Sequence, residues 1–142
     1  MPRNVAADVS IILQRKEIPL STANVLLLGW SYKPGIGDPR ETPAEPLAEA
    51  LVEMGCSVQT FDPLVDDRLF PDELATLVRS ESEISPFDIG ILVTAHNEVL
   101  GIDWASLAEK ANHSLIYDGR RVLDVEMLES LGWDVYLLGA PV

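Results

Sequence analysis

Two almost unbroken apolar runs, Asn24-Val25-Leu26-Leu27-Leu28-Gly29 and Asp88-Ile89-Gly90-Ile91-Leu92-Val93-Thr94, constrain this chain more than any other feature in it. A strand apolar on both sides of its pleat needs cover on both faces, and a parallel sheet between helical layers supplies it. Three further segments read as strands: residues 57–61, 114–117 and 134–139. Helical spacing fills the intervals between them. Val5, Val9, Ile12 and Leu13 form an apolar stripe over residues 5–16, and residues 44–54 turn Leu47, Ala48, Leu51 and Val52 inward before Gly55 ends the helix. Residues 104–111 and 125–131 read as two more helices, and the polar, acidic stretch 64–86 suggests a short one near 72–79.

Strands alternating with helices imply right-handed crossovers and an open sheet. The expected fold class is α/β, a Rossmann-like three-layer sandwich with a mainly parallel sheet of five to six strands. Ligands of such sheets bind beyond the C-terminal strand ends, where strand order reverses. Attention therefore falls on the segments after Leu28, Phe61, Thr94 and Tyr117.

Charge narrows the ligand. The 142 residues carry 23 acidic against 10 basic side chains, a net of −13, which disfavours nucleic acid and anionic membranes. Four of the basic residues nonetheless follow candidate strand ends: Lys33 and Arg40 after the first, Arg120 and Arg121 after the fourth. Guanidinium forks gathered on an acidic protein suit phosphate oxygens. Arg121 has a simpler reading as a surface partner of Asp124.

No run approaches the ~18 apolar residues of a membrane span, and the N-terminus lacks a signal-peptide pattern, so a cytoplasmic location is expected. Cys56 is the single cysteine; it excludes an internal disulfide or a cysteine-built metal site and reads as a small buried hydrophobe. No metal site is expected. His96, at a strand end, has both a structural reading and a ligand-facing one, with the structural one favoured. His113 reads as a helix-end residue placed against the C-terminal dipole.

The first glycine loop matches neither G-x-G-x-x-G nor the phosphate-cradling G-x-x-x-x-G-K-[ST]. Asp62 ends the second strand, where a dinucleotide fold keeps its ribose-binding acid, but 33 residues after Gly29 rather than the usual ~20. The spacing describes a Rossmann-like domain without a dinucleotide fingerprint.

Gly29-Trp30-Ser31-Tyr32-Lys33-Pro34-Gly35-Ile36-Gly37-Asp38-Pro39-Arg40-Glu41-Thr42-Pro43 resembles the G-[aromatic or small]-x-[FY]-K-x-x-x-x-D-x-R-x-[ST]-[PS] signature of the UDP-glucose/GDP-mannose dehydrogenases. Phe61-Asp62-Pro63, Val93-Thr94 and Asp118-Gly119-Arg120-Arg121-Val122-Leu123 agree with that family in order and spacing, so the resemblance covers residues 24–139.

Members of the family oxidise the C6 hydroxyl of a nucleotide sugar to a carboxylate with NAD. They combine an NAD-binding domain, a central helical domain that dimerises, and a C-terminal domain that closes over the UDP-sugar. The resemblance is to the last of these. It implies that Tyr32, Lys33 and Arg120 approach a UDP-sugar, that Arg40 offers a second phosphate contact, and that Asp38 braces the loop.

It further implies that residues 1–20 are the tail of the central helix and 21–142 the nucleotide-sugar-binding domain. The stripe on that first helix would then be exposed and prone to association. NAD is expected in the full-length enzyme and not in this domain. Nothing matches the family's cysteine segment, so this chain alone is expected to bind a UDP-sugar without oxidising it. The expected partners are the UDP-sugar and the other two domains of a homo-oligomeric parent. The competing readings are a stand-alone binding or regulatory module of the same fold that has lost the site, and a receiver-like or flavodoxin-like domain.

Overall fold

The computed structural model describes residues 2–31, 35 and 42–142. Six parallel strands run in the order β3-β2-β1-β4-β5-β6: β1 (Asn24–Leu28), β2 (Ser57–Phe61), β3 (Thr76–Val78), β4 (Phe87–Leu92), β5 (Ala111–Asp118) and β6 (Asp134–Leu137). Helices α1 (Pro2–Arg15) and α2 (Ala44–Glu53) cover one face; α3 (Asn97–Leu100), α4 (Trp104–Lys110) and α5 (Val125–Ser130) accompany the other.

The pleat sorts the apolar runs between these layers. Val25, Leu27, Ile89, Ile91, Leu115 and Tyr117 belong to the core with α1 and α2. Their neighbours Leu26, Leu28, Leu92 and Ile116 join Val99, Trp104, Leu107, Leu128 and Trp133 in a second core. Successive side chains alternate across a strand, so two unbroken runs could form only in a sheet covered on both sides. On the second face Trp104 and Trp133 meet edge to face at 6.0 Å, and the Trp133 indole N–H donates to the Trp104 carbonyl.

The expected helix near residues 72–79 is a strand. β3 pairs in parallel with β2, Gln59 against Thr76 through Phe61 against Val78. Three residues in an acidic stretch carry too little periodicity to announce an edge strand; backbone pairing to β2 makes it one. β5 begins at Ala111, earlier than its apolar residues suggest, because Ser114 takes φ +52 and the register with β4 shifts between Phe87 and Ile89. His113 is therefore a strand residue 3.6 Å from the Asp88 carboxylate, not a helix-end residue.

Two packing expectations also change. Val52 is 41% exposed, because the stripe of Ala44, Leu47, Ala48 and Leu51 already fills the inward face and Val52 falls at its edge. Gly55, at φ +101, does close α2. The α1 stripe is not exposed: Val5, Val9, Ile12 and Leu13 are all buried in the first core. The Tyr117 hydroxyl also donates to Asp8 on α1 at 2.6 Å, and burial together with that carboxylate raises its pKa. Replacing Ile12, 1% exposed, with alanine should cost about 2–4 kcal/mol of unfolding free energy in a urea titration. A loss below 1 kcal/mol would mean that α1 is not an integral part of the domain.

Candidate functional site

In the order 3-2-1-4-5-6 the chain reverses direction across the sheet between β1 and β4. The C-terminal ends of those two strands flank the crevice where such folds bind ligands. Of the eight buried polar residues among those described, six collect at this rim, namely Ser31, Thr42, Asp62, Thr94, His96 and Asp118; Thr60 lies within β2 and Asp88 near the start of β4. Burial of this kind is tolerated only where hydrogen bonds replace water. Their partners show how the rim is built.

Asp62, fully buried at the end of β2, is the hub. Its Oδ2 accepts from the Trp30 N–H at 2.8 Å, from the Ser31 N–H and hydroxyl at 3.2 Å, and meets His96 Nε2 at 3.0 Å. Its Oδ1 accepts from the N–H groups of Leu64 and Val65. Burial alone would raise this carboxyl's pKa; the N–H groups of Trp30 and Leu64, then His96 and Ser31, outweigh it and hold the pKa below the ordinary value. One carboxylate thus fixes the exits of β1 and β2 and the ring of His96. It has no lone pair left for a ribose.

The exit of β1 is pinned from the β4 side as well. Gly29 sits at φ +89, and a Cβ there would lie 2.5 Å from the Thr94 carbonyl oxygen. The Thr94 hydroxyl donates to the Ser31 carbonyl, and the Thr42 hydroxyl to the Trp30 carbonyl. Trp30 itself is buried against Phe70, ring centroids 4.7 Å apart.

At the end of β5, Asp118 repeats the device. Its Oδ1 accepts from the N–H groups of Arg120 at 2.9 Å and Arg121 at 2.7 Å, and its Oδ2 accepts from that of Leu123. Gly119 lets this turn lie against β4, its N–H donating to the Leu92 carbonyl at 3.1 Å; a Cβ would come within 2.6 Å of that oxygen. The turn therefore cannot drift, and it presents Arg120 to solvent at the rim. Among the described residues the Arg120 guanidinium makes no ion pair or hydrogen bond, and it borders an apolar crevice with Val5, Pro43, Leu47 and Val93. Arg121, at φ +57, turns the other way and donates to the Leu138 carbonyl at 2.7 Å. It does not pair with Asp124, which caps α5 by accepting from the Met127 N–H.

Of the residues singled out by sequence, Arg120 is thus placed at the rim, whereas Tyr32, Lys33, Asp38 and Arg40 lie outside the described residues. Gly35, between them, is described: its N–H donates to His96 Nδ1 at 2.8 Å. β4 separates β1 from β5, so the C-terminal ends of β1 and β5 lie roughly 10 Å apart at the usual strand spacing. Sequence reasoning missed the roles of Asp62, Asp118, Ser31 and Thr94. An aspartate at the end of each of two apolar strand runs, Phe61-Asp62 and Tyr117-Asp118, was the available signal.

A family model for the UDP binding domain of the UDP-glucose/GDP-mannose dehydrogenase family matches residues 26–125. The chain belongs to this family. It is 34% identical over 119 residues, 81% of the chain, to a Bacillus subtilis protein provisionally named UDP-glucose 6-dehydrogenase. It is 30% identical, over 87% of the chain, to the UDP-N-acetyl-D-mannosamine dehydrogenase of Pyrococcus horikoshii. It spans only 27% and 28% of the length of these relatives.

The solved UDP-D-ManNAc dehydrogenase of P. horikoshii superposes with a TM-score of 0.73 at 26% identity, over 98% of this chain and 31% of that one. A Methanosarcina mazei NDP-N-acetyl-D-galactosaminuronic acid dehydrogenase gives 0.83 over 98% of this chain and 29% of that one; at 22% identity it shows the fold alone. The matched family region takes in the β1 exit, Asp62, His96 and the Asp118-Gly119-Arg120 turn. Among the described residues no group of His, Cys, Asp and Glu could hold a metal, and no helix is long and apolar enough to cross a membrane. Cys56 is buried at the start of β2, away from the rim, and burial followed by the nearby Asp88 raises its thiol pKa.

Proposed function

We propose that this domain binds the nucleoside diphosphate part of a UDP-sugar along the C-terminal rim of its sheet. On this reading it forms one wall of the substrate site of a nucleotide-sugar 6-dehydrogenase. The observation that carries the proposal is the Asp118-Gly119-Arg120 turn. A buried carboxylate and a glycine pressed on β4 hold the backbone of an exposed arginine beside the strand reversal. A diphosphate is the ligand whose charge and oxygen geometry a guanidinium meets best.

Lys33 and Arg40 add positive charge from the segment between β1 and α2, Tyr32 approaches the sugar, and Asp38 braces that segment. The thiol and the NAD that oxidise the C6 hydroxyl come from other parts of a longer enzyme, of which residues 1–20 continue the central helix. This domain then contributes affinity and orientation of the substrate, and none of the redox chemistry.

Isothermal titration of the chain with UDP-glucose tests this. Arg120→Ala and Lys33→Ala should each weaken binding about tenfold or more, the usual loss when a hydrogen bond to a charged group is removed. Arg121→Ala should leave affinity within about twofold, because its guanidinium is engaged by the Leu138 carbonyl. Equal affinities for Arg120→Ala and the unmodified chain would sink the proposal.

A further inference from the structure

The core shared by α1 and the sheet is almost wholly apolar. Val5, Val9, Ile12 and Leu13 pack into it from the helix, and Ile91, Leu115 and Tyr117 from the strands. Apolar contact is non-directional. It holds a helix against a sheet without fixing where along its axis the helix sits. Among the described residues a single side-chain hydrogen bond joins α1 to the sheet: the Tyr117 hydroxyl donates to Asp8 Oδ2 at 2.6 Å. The exposed ion pair between Lys16, just past α1, and Asp134 is too weak to set the helix's position.

Both partners of that bond lead to the rim. The Tyr117 ring is fully buried, and burial together with the Asp8 carboxylate raises its pKa, so the hydroxyl keeps its proton at neutral pH. Tyr117 directly precedes Asp118, whose carboxylate clamps the N–H groups of Arg120, Arg121 and Leu123. Asp8 stands one helical turn after Val5, and Val5 lines the apolar crevice together with Arg120. One hydrogen bond thus ties the helix that walls the crevice to the strand that carries the arginine.

We propose that Tyr117 is a positioning residue for the Arg120 site. Through Asp8 its hydroxyl sets the axial register of α1 over the ends of β4 and β5, and so the wall beside which the guanidinium meets a diphosphate. This deepens the function proposed above and rests on it. A slip of one residue moves α1 about 1.5 Å along its axis, and Val5 moves with it relative to Arg120. The charge of Asp8 has no part in this, since a carboxylate by itself disfavours a nearby anion. What matters is the acceptor oxygen.

The test is calorimetric titration with UDP-glucose, at a temperature where urea unfolding shows each variant to be folded. Tyr117→Phe deletes the hydroxyl and keeps the ring; it should weaken binding about fivefold, the scale of a coupling carried by one contact. Asp8→Asn keeps an acceptor without the charge and should stay within about twofold of the unmodified chain. Asp8→Ala combined with Tyr117→Phe should lose no more than Tyr117→Phe alone, because both changes break the same bond. Leu107→Ala opens the core on the other face of the sheet. It should lower stability and leave affinity unchanged, which separates positioning from general loosening.

Hydrogen exchange of the ligand-free protein gives a second readout. In Tyr117→Phe the amides of Arg120, Arg121 and Leu123 should exchange faster relative to those of β1. Equal affinities for Tyr117→Phe and the unmodified chain overturn the proposal. So does a loss as large in Asp8→Asn, which would make the charge responsible, or in Leu107→Ala, which would make it loosening. An unmodified chain that fails to bind UDP-glucose refutes the substrate reading instead, and the exchange of the three amides then decides the coupling alone.

Discussion

Replacing Asp62 with alanine should cost about 3–5 kcal/mol of unfolding free energy, a large share of the total stability of a domain this size. The methyl group would leave the N–H groups of Trp30, Ser31, Leu64 and Val65 without an acceptor, together with the Ser31 hydroxyl and His96 Nε2. Each buried donor left unpaired costs about 1–3 kcal/mol before the structure relaxes. Urea unfolding at pH 7 measures the sum.

The same carboxylate predicts a pH signature. Its folded pKa lies below the unfolded value of roughly 3.9, so the ionised form is the one that stabilises the fold. Its contribution is complete above that value and fades as pH falls through the folded pKa. The stability difference between the unmodified protein and Asp62→Asn should therefore stay level from pH 8 to pH 5 and shrink below about 4. A difference that widens on acidification would show that this carboxyl is held in its protonated form.

The second large effect belongs to Gly29. Alanine there meets two penalties at once: the strain of φ +89, and a Cβ 2.5 Å from the Thr94 carbonyl oxygen and 2.8 Å from the Thr94 nitrogen. Backbone strain of this kind costs of order 1–3 kcal/mol, and the collision adds to it by wedging β1 from β4. Gly132 separates the two contributions. It has φ +95, yet nothing lies within 4 Å of its Cβ position. Gly132→Ala should lose only the strain, while Gly29→Ala should lose at least about 2 kcal/mol more and weaken UDP-glucose binding too, since the Thr94–Ser31 bond sits at the same contact. Equal losses in urea titrations of the two variants would rule out the close approach of Thr94.

The parallel sheet was legible because its two central runs are apolar at almost every position, a pattern that a sheet covered on both faces buries. β3 was not legible: Thr76, Leu77 and Val78 become a strand by pairing with β2, a relation absent from local sequence. The fate of the α1 stripe was hidden for a similar reason. Spacing shows that Val5, Val9, Ile12 and Leu13 share a face, but not whether that face meets this sheet or another domain.

At the rim, Arg120 was found because positive charge stands out on an acidic chain. The scaffold beneath it was harder to see. Asp62 and Asp118 look like two more acidic residues among 23, and only coordinates show their oxygens accepting N–H groups from neighbouring strand exits. His96 lay between, favoured as a structural residue, and its bond to Gly35 joins structure to the segment expected to carry function.

The saturated state of Asp62 limits what protein engineering could make of this domain. Grafting a glycine-rich dinucleotide loop after β1 would recreate the pyrophosphate cradle but not adenosine recognition. The acid at the tip of β2 faces inward and would have to give up six donors before it could hold a hydroxyl pair. A redesign toward NAD would need a new acceptor one or two positions further along, with Asp62 left in place as the keystone.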